Sequence, residues 1–247
     1  IYGYSYPVPT GKTVASITLP FQSNLRLLGV QMSSSTQVAN PINTMGIGTA
    51  PYQLPNSQGP NGKGQYYSST QINQAAVYAN GNTNTKASQI SLAWSGAEFD
   101  ITGIPLSKGN SANITQCTGQ VIKMPSGNFN YLYLIGAAAG AKNGAAQTDS
   151  IIFNGQWNGS AAASAYTVQQ TFSDWNNGGN PPAPGSVANE TVFSWTGQLN
   201  QDGNQNSQNG NNAAFIYGYA FKLPEGNLQS IQLPNNSNIN ILGISLM

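Results

Sequence analysis

Glu98 and Asp100 stand two residues apart, and on a β-strand that spacing puts both carboxylates on one face, about 7 Å apart at Cα. A pair so placed could serve glycoside hydrolysis or, in acid, a peptidase. A solvated strand edge, or hydrogen bonds to a turn, explains the pair with fewer assumptions and is the favoured reading. Asp174 precedes Trp175 and an Asn-Asn-Gly-Gly loop, where a carboxylate accepts backbone N–H bonds to start a turn. Glu190 and Asp202 lie near polar loops with no evident partner. The 247 residues contain no histidine, so Ser-His-Asp and Cys-His machinery and His-ligated zinc are excluded. Any acid–base chemistry would rest on seven carboxylates. No catalytic residue is therefore assigned, and no metal site or cofactor is expected; no Asp-x-Asp-x-Asp calcium loop is present.

Aromatic side chains offer a different chemistry, stacking on sugar rings. Trp157, in the turn-rich Asn154-Gly-Gln-Trp-Asn-Gly159, is the residue expected to be exposed for it. Trp94, Trp175 and Trp195 each end a strand-like run and are expected in the core. The single thiol, Cys117, allows no internal disulfide and reads as a small buried hydrophobe. Asn113-Ile-Thr, Asn158-Gly-Ser, Asn189-Glu-Thr and Asn235-Asn-Ser match the N-glycosylation pattern, although an Asn-rich chain produces some matches by chance.

Charged residues make up 6% of the chain, against about 25% in a typical soluble domain. Asn and Gln together number 52, and Ser and Thr 42. A net charge of +1 gives no basic stripe for nucleic acid. Apolar runs fall far short of a membrane-spanning helix, so no membrane insertion is expected. With every acid neutralised the chain would carry only the charge of its eight Lys and Arg, so its surface stays hydrated and nearly neutral in acid. These features suggest an extracellular or cell-surface protein from an acidic setting.

The elements that must position these residues are strands. Runs rich in β-branched and aromatic residues recur between Gly, Pro, Asn and Ser clusters. They are Ile1–Tyr6, Ala15–Leu19, Leu25–Gln31, Ile90–Trp94, Gln120–Met124, Asn130–Ile135, Ser150–Phe153, Tyr166–Phe172, Thr191–Trp195, Ile216–Phe221 and Ile239–Leu246. Tyr166, Val168, Gln170 and Phe172 alternate with polar residues, as in a strand with one wet face. Tyr131–Ile135 is apolar throughout, as in a central strand covered on two faces. Ala137–Ala146 and Ala161–Ala165 allow one helical turn each at most. The fold class is all-β, a two-sheet antiparallel sandwich of jelly-roll or immunoglobulin-like kind, with room for an added strand set from the N-terminus.

That N-terminal set is an internal repeat. Ile1-Tyr-Gly-Tyr returns as Ile216-Tyr-Gly-Tyr, Ser16-Ile-Thr-Leu-Pro20 as Ser230-Ile-Gln-Leu-Pro234, and Ser23-Asn-Leu-Arg-Leu-Leu-Gly-Val30 as Ser237-Asn-Ile-Asn-Ile-Leu-Gly-Ile244. The spacing is too long for a solenoid, whose period is roughly 20–50 residues. Residues 1–32 thus read as a closing-strand segment, repeated from a preceding module or acting as a complementing element. Residues 33–247 read as a complete module ending in its own copy, 216–247. Strands without the rest of their module expose unpaired edges, so 1–32 must pack on 33–247, the favoured arrangement, or complete a neighbouring unit.

Ser91-Leu-Ala-Trp-Ser-Gly-Ala-Glu-Phe99, Gln120–Gly127, Tyr131–Gly136, Thr171-Phe-Ser-Asp-Trp175 and the Tyr-Gly-Tyr tail, in that order, resemble β-sandwich modules of secreted microbial proteins. Such modules are often appended to sedolisin (kumamolisin-like) acid peptidases or to glycoside hydrolases. The resemblance covers roughly residues 38–247 and implies an extracellular accessory or structural role, not a reaction. The sedolisin Ser-Gly-Thr-Ser motif is absent. The expected function is a non-catalytic structural module, assembling head-to-tail with copies of itself or adjacent modules into a surface chain, layer or filament. The alternatives are a carbohydrate-binding accessory module, with a polysaccharide partner, and an acid hydrolase using Glu98 and Asp100.

Overall fold

A computed structural model describes residues 13–18, 35–48, 59–62, 64, 66–68, 89–94, 97–102, 112–140, 145–175, 189–196 and 213–247. They form an all-β, two-sheet antiparallel sandwich. In chain order its strands are β1 (Thr36–Val38), β2 (Ile47–Gly48), β3 (Tyr67–Ser68), β4 (Gln89–Trp94), β5 (Ala97–Thr102), β6 (Thr115–Gln116), β7 (Val121–Lys123), β8 (Tyr131–Ala138), β9 (Gln147–Trp157), β10 (Ser164–Phe172), β11 (Asn189–Thr196), β12 (Ala213–Lys222), β13 (Gly226–Gln232) and β14 (Ile239–Leu246). One sheet runs β1-β14-β8-β12-β11, with β6 also on β14, and the other runs β10-β9-β13-β7. β4 and β5 form an antiparallel hairpin, and β2 and β3 a short parallel pair.

β8 is the central strand its sequence announces. All of its residues after Tyr131 are buried, because it lies between β12 and β14 within one sheet and is covered on both faces. Across the sandwich, Phe221 of β12 meets Phe153 of β9 at 5.6 Å between ring centroids, and Tyr219 meets Phe172 of β10 at 4.7 Å. On the outer face, Phe99 of β5 packs against Gly243 of β14, and Asn240 Nδ2 donates to the Pro60 carbonyl at 3.3 Å. Covered on both sides, β14 buries every one of its eight residues. Gly136 of β8 has no room for a β-carbon, which would collide with the Asn240 carbonyl on β14, so close approach of these two strands requires glycine there.

β9 and β10 form a long hairpin whose turn carries Asn158 at φ 54° and Gly159 at φ 76°, the left-handed pair that a tight hairpin turn demands. The alternation expected over Tyr166–Phe172 holds only in part. Gln170 and Phe172 are fully buried, but Tyr166 is 40% exposed, because the tip of the hairpin extends past the opposite sheet's cover. Neither alanine-rich stretch supplies a described helical turn: Ala137 and Ala138 belong to β8, and Ser164 and Ala165 to β10. The expected strand at Ala15–Leu19 is not found over its described part, since residues 13–18 lie in no strand and Ile17 is 54% exposed. The other expected strands of the first copy, Ile1–Tyr6 and Leu25–Gln31, lie outside the described residues. Among the described residues no helix is long and apolar enough to cross a membrane, which leaves strands unaddressed.

Candidate functional site

The densest group of polar chemistry lies where Thr171-Phe-Ser-Asp-Trp175 crosses the sandwich. Leaving β10, this segment runs beside the end of β8: Ala138 N donates to the Ser173 carbonyl at 2.8 Å, and Trp175 N to the Ala138 carbonyl at 2.9 Å. Phe215 N then donates to the Trp175 carbonyl at 2.8 Å, which ties the segment to β12. The period of two on β12 brings Tyr217 and Tyr219 to the same segment. Tyr219 Oη accepts the Ser173 N–H at 3.0 Å, and Tyr217 Oη donates to the Asp174 carbonyl at 3.3 Å. Tyr67 of β3 closes the group, its ring edge-on to Trp175 at 5.0 Å.

Asp174 is 2% exposed, with Tyr67 and Tyr217 close enough to feel its charge. Burial raises all three phenols, and the Asp174 charge adds to the shift of Tyr67 and Tyr217, the latter pushed up to about 12. These hydroxyls stay protonated across the physiological range. Tyr67, Tyr219 and Trp175 are also closed to solvent. The bonds of the group join β8, β10 and β12, which makes it a clasp between the two sheets.

Trp157 was expected to be exposed and is instead 7% exposed. Its ring lies across Gly155, two residues earlier on the same face of β9, where any β-carbon would collide with it. The indole Nε1–H donates to the Ser164 carbonyl at 3.1 Å across the hairpin. With one face on β9 and its polar edge satisfied, the ring is part of the core rather than a sugar platform. Trp175 is in the core as expected, at 1% exposed.

Glu98 and Asp100 lie on β5, paired with Ala93 and Ser91 of β4. Phe99 between them is fully buried. Glu190 follows Asn189 at the start of β11, where its partner is Gly218; Asp202 lies outside the described residues. Among the described residues no three of His, Cys, Asp and Glu gather as a metal site would require. Cys117 is buried, and burial raises its thiol pKa, with a smaller push from Asp149.

Three of the four Asn-x-Ser/Thr sites can be placed, the side chain of Asn189 lying outside the described residues. Asn158 tops the β9–β10 hairpin and Asn235 the β13–β14 connection, both exposed. Asn113 is 2% exposed. Its Oδ1 accepts from Gly46 N at 2.8 Å and Ile47 N at 3.0 Å, while its Nδ2 donates to the Ile47 carbonyl at 2.6 Å. A glycan at that amide would have no exit from the folded chain.

The sequence carries part of the clasp's signal in two local patterns, though not the contact with Tyr67. Phe-Ser-Asp-Trp joins an acid to two large aromatics, and Ile216-Tyr-Gly-Tyr sets two tyrosines at strand spacing. Comparison with known families matches residues 65–247 to the AziU2-like beta-sandwich domain, so the chain belongs to that family. The matched region holds β3–β14, including the whole clasp. The match carries no link to peptidases or glycoside hydrolases. No curated protein matches the chain.

Proposed function

We propose that this member of the AziU2-like β-sandwich family is a non-catalytic structural module that assembles with copies of itself or with adjacent modules in an acidic extracellular or cell-surface setting. The observation that carries the reading is the edge of the second sheet. Among the described residues β10 is its outermost strand: nine residues, Ser164–Phe172, with neither proline nor charge. Edge strands in monomeric proteins are commonly blunted by Lys, Pro or a bulge; β10 has no charge and no proline, and it pairs with β9 without a shift in register. Its exposed part, Ser164 to Gln169, offers hydroxyls, amides and the Tyr166 ring, with no carboxylate or ammonium among them. The polar groups that could have suggested catalysis support the same reading, since Asp174 and its tyrosines are sealed inside the clasp.

Sedimentation velocity and negative-stain microscopy on the full chain at pH 3 and pH 7 test the proposal. Ordered assemblies are expected at both, and Tyr166→Lys with Thr167→Lys should abolish them. A strictly monomeric chain at high concentration would refute it. Unchanged turnover in Glu98→Gln with Asp100→Asn, should any hydrolysis be detected, separates this reading from the acid hydrolase.

A further inference from the structure

The strands β12–β14 are written twice in the sequence, but the chain builds one place for them. That place lies between β11, β8 and β1 in one sheet and between β9 and β7 in the other. Residues 216–246 fill it. In the aligned first copy, Val14 stands for Leu228 and Ile17 for Ile231. Ile231 is fully buried between Ile122 and Phe153, whereas Ile17 is 54% exposed. Over the described part of the first copy, residues 13–18, no strand occupies that place.

Reach is not what keeps the first copy out. Val30, Gln31 and Met32 stand for Ile244, Ser245 and Leu246, which pair antiparallel with Val38, Gln37 and Thr36 of β1. A three-residue Ser33-Ser34-Ser35 connection would therefore suffice to deliver the first copy to the slot as a hairpin with β1, a common loop length. Side chains are the obstacle. Arg26 stands for Asn240, which is 0% exposed, is bonded to the Pro60 carbonyl and lies opposite Gln116 of β6. A guanidinium there would be buried with no counter-charge among those neighbours, which is heavily disfavoured. Gln31 stands for Ser245, also 0% exposed, and a longer side chain there overpacks the strand.

We propose that residues 1–32 are the closing strand set of a second β-sandwich body, homologous to this one but with a carboxylate facing Arg26 where this body has Gln116 and the Pro60 carbonyl. The chain docks on that partner by supplying its last three strands. This rests on the assembly reading above and gives it direction: the N-terminal set is cut for a neighbour of the same fold and different charge, and against self-insertion.

The test uses the full chain with Ser16→Cys and Lys123→Cys. Ser230 pairs with Lys123, so position 16 meets position 123 only when the first copy enters a slot of this kind. Both changed residues are exposed, and buried Cys117 does not compete for oxidation. Ser230→Cys with Lys123→Cys is the closed reference. The 16–123 disulfide should stay open in the parent background. It should rise about tenfold or more when Gln116→Glu supplies the missing acid, or when Arg26→Asn with Gln31→Ser removes the misfit. Closure in the parent background as readily as in the reference would overturn the proposal, as would failure to close in both altered backgrounds. Assemblies seen by sedimentation alongside that failure would leave the assembly reading intact. A disulfide gained in a chain that never assembles would uphold the fit and remove that reading.

Discussion

Replacing Asn113 by alanine tests how a single amide holds the outer layer to the sandwich. Gly46 N, Ile47 N and the Ile47 carbonyl all find their partner in this side chain, at 2.6–3.0 Å and out of reach of water. The parallel pairing of β2 with β3 uses the Gly46 carbonyl, which accepts from Tyr67 N, and so leaves these three groups to Asn113. Stranding a buried backbone group costs about 1–3 kcal/mol, and partial relaxation makes the three together worth about 4 kcal/mol. At the scale of a domain this size, that corresponds to a drop in Tm of about 8–16 °C. Asn43→Ala is the internal control. Asn43 makes the same kind of clamp, to both the N–H and the carbonyl of Gln116, but it is exposed, so water replaces it and the cost should stay below about 1 kcal/mol. Urea unfolding followed by tryptophan fluorescence reads both. Equal losses for the two variants, or a loss below about 1 kcal/mol for Asn113→Ala, would refute the argument that burial sets the value of these bonds.

Trp157→Ala should destabilise the chain by about 3–5 kcal/mol in the same assay, as expected for emptying a core site. Peptide mass spectrometry of natively glycosylated material should find glycans at Asn158 or Asn235 and none at Asn113. Because the folded phenol of Tyr217 ionises near 12 and Tyr67 and Tyr219 are also raised, the unfolded chain loses their protons first. Stability should therefore be level below pH 10 and fall as pH rises from about 10 to 12, read as melting temperature against pH with tyrosinate absorbance as the monitor. Cys117 should resist a thiol reagent at pH 8 in the folded chain and react at once in denaturant.

Where neighbours and sequence agree, the strands could be read directly. Tyr131–Ile135 is apolar throughout because β8 is covered on both faces, and Ile239–Leu246, equally buried, is apolar but for Asn240 and Ser245. β13 escaped because a register shift between Leu228 and Ser230 turns Leu228 and Ile231, three apart, into the same core, and that spacing hides the period of two. Thr13–Thr18 shows the converse. It aligns with β13, sharing Ser-Ile and apolar Val14 for Leu228, yet it forms no strand without a β9 and a β7 beside it, because strand propensity is a property of surroundings more than of residues. Trp157 misled because the turn residues around it signalled exposure, while the decisive neighbour was Gly155, which left a ring-sized space on β9. The clasp needed Asp174 and Tyr67, over a hundred residues apart, to be brought together, and no local pattern reports such a meeting.

The order in which the strands are synthesised has a consequence for how the chain reaches this fold. β8, at the middle of the larger sheet, finds both of its lateral partners in β12 and β14, and β9 finds one of its two in β13. Asn40, near the front of the described body, bonds to the Leu242 carbonyl, 202 residues later. A ribosome adding about 5–20 residues per second therefore delivers the apolar Tyr131–Ala138 well before anything can flank it. The larger sheet can close around β8 only once residues 213–246, which carry both of its flanking strands, are present.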